Sequence, residues 1–389
     1  MSLKKIALVG NMNNNFFVLL RYLISWGYNN SHLYYLSSEP SHFSPENDTY
    51  NKDFLKKTSK INVGDITILN NEKRKKIQIL LKNYDFIICS GPSMGLLHFS
   101  SIKIDLFIPY GSDLYDLPFP KFTKNVYYYI RKLHFSRHQR LAIKKIKYIS
   151  IADEPQHLMI ALETIGFKGE LLKSGVPMMY PEKESYSSTF SDEVKQIKNN
   201  YKCVLFHQSR ENWHDCKDPK ANKGNNILYE GLSKFISTHP NLGKNVAIIS
   251  LEYGNDVEKS KKLIKKLGIK NNVFWFPKMK RRDLLQGLKI SDIIAGQFVV
   301  SYFTYGAVFE ALANSKPLLH YLDKEKYKNF TPYPFLNASN PDEISDNLLM
   351  FFKDEAKMVK IGNEGGKWYS EFFISNVKKD IEKIIKKEC

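Results

Sequence analysis

The sequence predicts an α/β protein of two doubly wound parallel-sheet domains. Short apolar runs bounded by turn residues alternate with helical patterns along most of the 389 residues. The alternation pauses once, at "KSGVPMMYPEKESYSSTFSDE", where Pro177 and Pro181 lie near a Ser-rich polar segment, and then resumes. The chain is also longer than one ordinary core serves. The expected division is 1–180, 181–350, and a helical tail, 351–389, packing back toward the first domain.

In the first series, "KKIALVG" reads as a buried strand; its apolar run is too short, and too soon followed by "NMNNN", for a signal peptide. The helical pattern "FFVLLRYLISWGY" follows, then strands in "DFIICSG", "IDLFIPYGSD" and "KYISIAD". The second series places strands in "YKCVLFHQ", "NVAIISLEY", "NVFWFP", "IIAGQ" and "PLLHYL". The helical patterns between them are "NNILYEGLSKFISTH", "VEKSKKLIKKLG", "RRDLLQGLKISD" and "GAVFEALANS". In such a sheet the ligand belongs beyond the carboxyl ends of the strands. The longest uncharged stretch, Ile293 to Phe309, is short for a membrane span and is interrupted by Gly296, Gln297, Ser301, Thr304 and Gly306.

Composition narrows the partners. A net charge of +18 favours an anion: a nucleotide, a membrane surface or a nucleic acid. Cys89, Cys203, Cys216 and Cys389 form no CxxC pair, which suits a reducing, cytoplasmic compartment without disulfides. Cys203, His207, His214 and Cys216 match no common zinc spacing, and His134 with His138 lacks the intervening glutamate of a zinc protease, so no metal is expected.

Glu310 interrupts the apolar run "YFTYGAVFEALANSKPLLHY", and an ionised carboxylate is costly to bury without partners. It is either neutralised by the fold or aimed at a ligand. Gly306 allows close backbone approach, and the helix it opens favours an anion at its amino terminus. Arg210 stands just past a strand and Lys223 just before a helix, both on the ligand side. Together they could hold a diphosphate, or each could be solvated surface charge. The "GNMNNN" loop lacks G-x-G-x-x-G, which excludes a nicotinamide-type reading.

The order "ANKGNNILYEGL", "NVFWFPKMKRRDLLQGLKISDIIAGQ" and "GAVFEALANSKPLLHY" resembles the carboxyl-terminal half of GT-B glycosyltransferases, in particular the large retaining group that uses nucleotide sugars. "ALVGNMNNNFFVLLRYLISWGY" and "YISIADEPQHLMIALETIGFKGELLKSGVP" are similar to that fold's first strand, loop and helix and to its domain link. The resemblance implies that Arg210 and Lys223 hold a UDP- or GDP-sugar diphosphate without a metal cofactor, and that Glu310 contacts the ribose. Gly10, Asn11 and Asn14 would approach the donor phosphate, with Tyr302, Thr304 and Gly306 completing the donor set; an asparagine-rich turn is the alternative for the first three. Two departures leave sugar recognition and stereochemical course open. Tyr302 stands where the pattern has a glutamate, and Tyr110 stands where many relatives have the histidine of a His-Gly-Ser-Asp pattern. Asp113, in "YGSD", is then either the acceptor's base or a helix cap.

From Lys121 to Lys147 there is no acidic residue, and aromatic side chains intersperse the cations. Arg131, Lys132, Lys144 and Lys145 would meet an anionic membrane surface, or form the solvated side of a packing helix. Nucleic acid is not expected, because no RNP, KH or zinc-finger signature is present. The acceptor expected on this basis is a lipid-linked saccharide of bacterial surface polysaccharide, such as lipopolysaccharide, capsule or O-antigen. An epimerase or phosphorylase on the same fold, or a non-catalytic nucleotide-sugar or polyanion-binding protein, is the alternative.

Overall fold

The structure is a computed structural model that describes residues 4–152, 156–182, 184 and 186–388. Cys389 lies outside the described residues; Cys89, Cys203 and Cys216 are free thiols. Contacts divide the chain into two units, one running to Tyr180 and resuming at Phe373, the other Pro181–Phe372.

The first unit holds a seven-stranded, wholly parallel sheet: β1 (Ile6–Val9), β2 (His32–Leu36), β3 (Thr58–Ile61), β4 (Phe86–Cys89), β5 (Leu106–Phe107), β6 (Tyr148–Ser150) and β7 (Glu170–Leu172). Their spatial order is 3-2-1-4-5-6-7. Every side chain of β1 is fully buried, as a central strand covered on both faces requires. The edge strand β3, "TSKI", is polar and partly exposed, and its existence was not legible in the apolar pattern; the edge strand β7, "ELL", is likewise short and partly exposed, whereas β2, "HLYYL", is apolar and lies inside the sheet.

The second unit holds six parallel strands: β8 (Cys203–His207), β9 (Val246–Glu252), β10 (Val273–Pro277), β11 (Ile293–Ala295), β12 (Leu318–His320) and β13 (Leu336–Asn337), in the order 10-9-8-11-12-13. β8 is buried along its length and pairs Leu205 with Ile248 on one side and Ile293 on the other. The strand order reverses between β8 and β11, so their following loops frame the crevice where doubly wound sheets take ligands. Gly231 lets the helix Asn225–Thr238 pack against Pro341–Lys353: a Cβ there would lie 2.4 Å from that of Ile344.

The tail differs from the expected boundary at 350. Pro341–Lys353 runs through it, Glu355–Lys367 stays with the second unit, and only from Phe373, within a π-helical turn at Trp368–Ile374, does the chain rejoin the first. There Lys383 bonds Glu170 at 2.6 Å. Among the described residues no helix is long and apolar enough to cross a membrane.

Candidate functional site

The second unit's switch point gathers most of the candidate chemistry. After β8 the chain passes through Gln208, Ser209, Arg210 and Glu211. The Gln208 side-chain amide donates to Glu310 Oε2 at 2.9 Å, and Arg281 Nε donates to Glu310 Oε1 at 3.0 Å. The isolated carboxylate of the apolar run is therefore paired, with a cation 29 residues earlier in sequence that opens the helix Arg281–Ile290. A carboxylate offers about four acceptor positions, so two protein donors leave room for ligand hydroxyls.

Arg210 is exposed and lies 5.3 Å from the centroid of the Tyr253 ring, which also carries the Lys278 ammonium at 4.7 Å. Lys223 is more enclosed. Its Nζ donates to Gln297 Oε1 at 2.7 Å, its backbone N–H donates to Asn212 O, and its carbonyl accepts from Phe298 N–H. Burial, and then the Arg210 charge, push its pKa below the usual lysine value. An anion beside both cations would relieve the second of these costs. Gly224, at φ +66°, makes the left-handed turn into the next helix, and a Cβ there would sit 2.8 Å from Val299.

A buried network braces these loops. Glu211 has no exposed surface; it accepts from the Tyr229 hydroxyl and the Ser260 hydroxyl, each at 2.6 Å, and burial pushes its pKa up to about 7. His207 is held neutral, its pKa lowered to about 4 by burial. With Nδ1 donating to Ala295 O at 3.1 Å, Nε2 is left to accept from the Asn225 amide at 2.8 Å. Among the described residues no group of three or more His, Cys, Asp or Glu side chains stands ready to hold a metal ion. Cys203 and His207 are both buried within β8.

The loop after β11 completes the arrangement. Gln297 reaches Lys223 with its side chain, and its backbone N–H donates to the buried Tyr305 hydroxyl at 3.1 Å. Tyr305 leads into the helix Gly306–Ala313 without capping it by its own side chain, and the Cβ direction of Gly306 is open for 4 Å. Tyr302 and Thr304 are half-buried on the same loop, Tyr302 with the Lys326 ammonium 5.9 Å from its ring.

The first unit's candidates turn inward instead. Gly10, at φ +97°, passes so close to β4 that a Cβ would meet Ser90 O at 2.7 Å. Asn11 is fully buried: its amide donates to Asn14 Oδ1 and Phe43 O, and its oxygen accepts from Phe17 N–H at 2.9 Å. Asn14, in the left-handed region, donates to His42 O. Both asparagines thus build the turn, and their side chains are not presented to a phosphate. Asp113 also departs from the base assignment. It has no exposed surface, and it accepts from the N–H groups of Gly91, Tyr110 and Gly111 at 2.8, 3.1 and 3.0 Å. Burial raises its pKa to about 7 despite those bonds. A carboxylate so enclosed organises the loop and cannot meet an acceptor hydroxyl in this conformation.

The basic stretch forms the helix Val126–Lys145. Arg131 is committed locally, bonded to Asp65 at 3.2 Å and stacked on Tyr127 and Tyr128; Lys132 also lies over Tyr128. Lys144 and Lys145 are exposed at its far end. Sequence reasoning missed Arg281, Gln297, Tyr253 and Glu211. Only Glu211 carried a local hint, as an acid just beyond a buried strand.

No protein-family model matches the chain, and no curated protein matches it significantly in sequence. Solved structures do match over nearly all of it. HepE from Anabaena in complex with UDP and glucose is 15% identical, with 98% of this chain and 99% of that one covered and a TM-score of 0.61. WaaG, a glycosyltransferase involved in lipopolysaccharide biosynthesis, is 14% identical over 97% and 99%, with a TM-score of 0.50. A putative UDP-N-acetylglucosamine 2-epimerase from Listeria monocytogenes is 10% identical over 97% of each chain, with a TM-score of 0.55. With two parallel α/β units in one chain, this likeness shows the GT-B fold that the sequence motifs resembled.

Proposed function

We propose that this protein is a glycosyltransferase that moves a sugar from a nucleotide diphosphate donor to a hydroxyl of a saccharide acceptor. One observation carries the reading: the bonded chain Lys223–Gln297–Tyr305 leads to the helix that opens at Gly306, with Arg210 beside Lys223 and Glu310 tied to the Arg210 loop through Gln208. In this reading Arg210, Lys223 and the helix start stabilise the negative charge that develops on the departing diphosphate, so no metal is required. Glu310 accepts from the ribose hydroxyls, while Tyr302 and Thr304 stand on the donor-sugar side. Gly10, Asn11, Asn14 and Asp113 shape the first unit's loops. HepE's complexes with UDP and UDP-glucose make a UDP-sugar the first donor to try, ahead of a GDP-sugar.

The proposed acceptor is a lipid-linked saccharide of bacterial surface polysaccharide, taken at the cytoplasmic face of the membrane. Support comes from the likeness to WaaG and from the basic helix. The test of the donor reading is thermal melting against UDP, GDP and their sugars, since a ligand at a hundred times its Kd adds about 2.7 kcal/mol to a fold it binds selectively. A rise with one nucleotide sugar, lost in Lys223→Ala, is expected; melting indifferent to every nucleotide sinks the reading. The likeness to the Listeria protein sustains a second reading, and conversion of the nucleotide sugar without added acceptor would select the epimerase.

A further inference from the structure

The helix Val126–Lys145 is packed at one end only. Phe135, Ser136, Gln139, Ala142 and Ile143 are buried, and Gln139 accepts from Gly95 N–H at 2.7 Å. By contrast, no residue from Lys121 to His134 is buried. This protruding end is strongly apolar: Phe122 is 70% exposed, Val126 57%, Tyr127 72%, Ile130 57% and Leu133 39%. Val126, Ile130 and Leu133 follow i, i+4, i+7 and so share one face, with Tyr127 beside them; Phe122 packs edge-on against Tyr129. Exposed Lys121 and Lys124 precede this face and exposed Arg137 follows on it two turns after Ile130, while Lys132 turns to the other side over Tyr128; the stretch carries no acid.

The geometry points to this helix end as the wedge by which the protein docks on an anionic lipid bilayer. Clustered apolar side chains on a surface mark a contact, and the cations flanking these at both ends select its charge. Apolar prongs enter the interface while lysines remain among anionic headgroups. A second copy of this chain is disfavoured as the occupant, because the same cations would face each other. The wedge differs from the set expected from sequence. Arg131 is held by Asp65, and Lys144 and Lys145 lie about 20 Å along the helix axis from Ile130, on the packed half. The surface suits the lipid-linked acceptor proposed above, but it is inferred from these residues alone and its test uses no donor.

The experiment is co-sedimentation of the full chain with vesicles of phosphatidylcholine alone or mixed with phosphatidylglycerol. The wild type should bind the anionic vesicles selectively. F122S/Y127S/I130S should weaken that binding at least about 10-fold, and K121Q/K124Q/R137Q on the order of 100-fold. K144Q/K145Q should change it less than 3-fold, and every variant should melt as the wild type does because the altered side chains are exposed. The proposal is overturned by equal binding to neutral vesicles, by absence of binding to anionic ones, or by variants that bind like the wild type. It is equally overturned if the apolar variant lowers the melting temperature, or converts a dimer to a monomer with vesicle binding unchanged. Nucleotide-dependent melting of the same variants in lipid-free buffer reports on the donor site separately.

Discussion

The two sheets make their switch points alike and fill them differently. In the first unit the loops past the central strands carry Asn11, Asn14 and Asp113, whose polar atoms are spent on the protein's own backbone. In the second, the polar side chains that turn inward are Glu211, His207 and Asn225, and they hold up loops bearing exposed Arg210 and partly open Lys223. A polar residue beyond a strand end is thus no sign of a site by itself. What distinguishes the second unit is a buried layer that satisfies itself and leaves charge at the surface above it. Such layers fix orientation because every member left unpaired would carry a desolvation cost.

The largest expected effect tests the chemical side of that contrast. Arg210→Ala and Lys223→Ala should each reduce sugar transfer about 100- to 1,000-fold, the range for losing one electrostatic stabiliser of a developing charge, with little change in melting. Transfer at the wild-type rate in both variants breaks the contrast. Asp113→Ala should do the reverse. It strands three backbone N–H groups in a buried loop, and about 3 kcal/mol of stability should disappear in denaturant titrations. A variant that keeps its stability but loses transfer would return Asp113 to the reaction.

The pH dependence comes next. Glu211 has a folded pKa near 7, above its unfolded value, so the folded state holds a proton that the unfolded state has released between about pH 4.5 and 7. Its contribution is complete below that window and is lost as pH rises through it. Glu211→Gln lacks this loss, so its stability relative to the wild type should climb from pH 4.5 to 7. Comparing variant with wild type also removes the opposing histidines, His207 and His320, whose lowered pKa values make stability rise with pH. A flat difference would assign Glu211 an ordinary carboxylate pKa. The smallest effect concerns Tyr253 as the platform under Arg210. Tyr253→Leu should weaken nucleotide binding about 3- to 5-fold, as expected for an exposed cation–π contact, and Tyr253→Phe should restore it.

Much of this architecture was legible from neighbours along the chain. The apolar runs that became β1, β4, β8 and β9 are buried throughout or nearly so, and such runs announce central parallel strands without reference to anything distant. Arg210 and Lys223 could be placed beside strand and helix ends for the same local reason. Edge strands such as "TSKI" could not, because their pairing with β2 is contributed by another segment.

The sequence by itself determined that Glu310 needed an explanation, since an apolar run around a carboxylate is a local fact. Only the tertiary structure decided that Arg281 and Gln208 answer it, that Asp113 is sealed beneath backbone amides, and that a basic helix presents its apolar end. Periodicity depends on which residues are adjacent in sequence. Burial and pairing of charge depend on which are adjacent in space, and those neighbours are assembled by the packing of the whole unit.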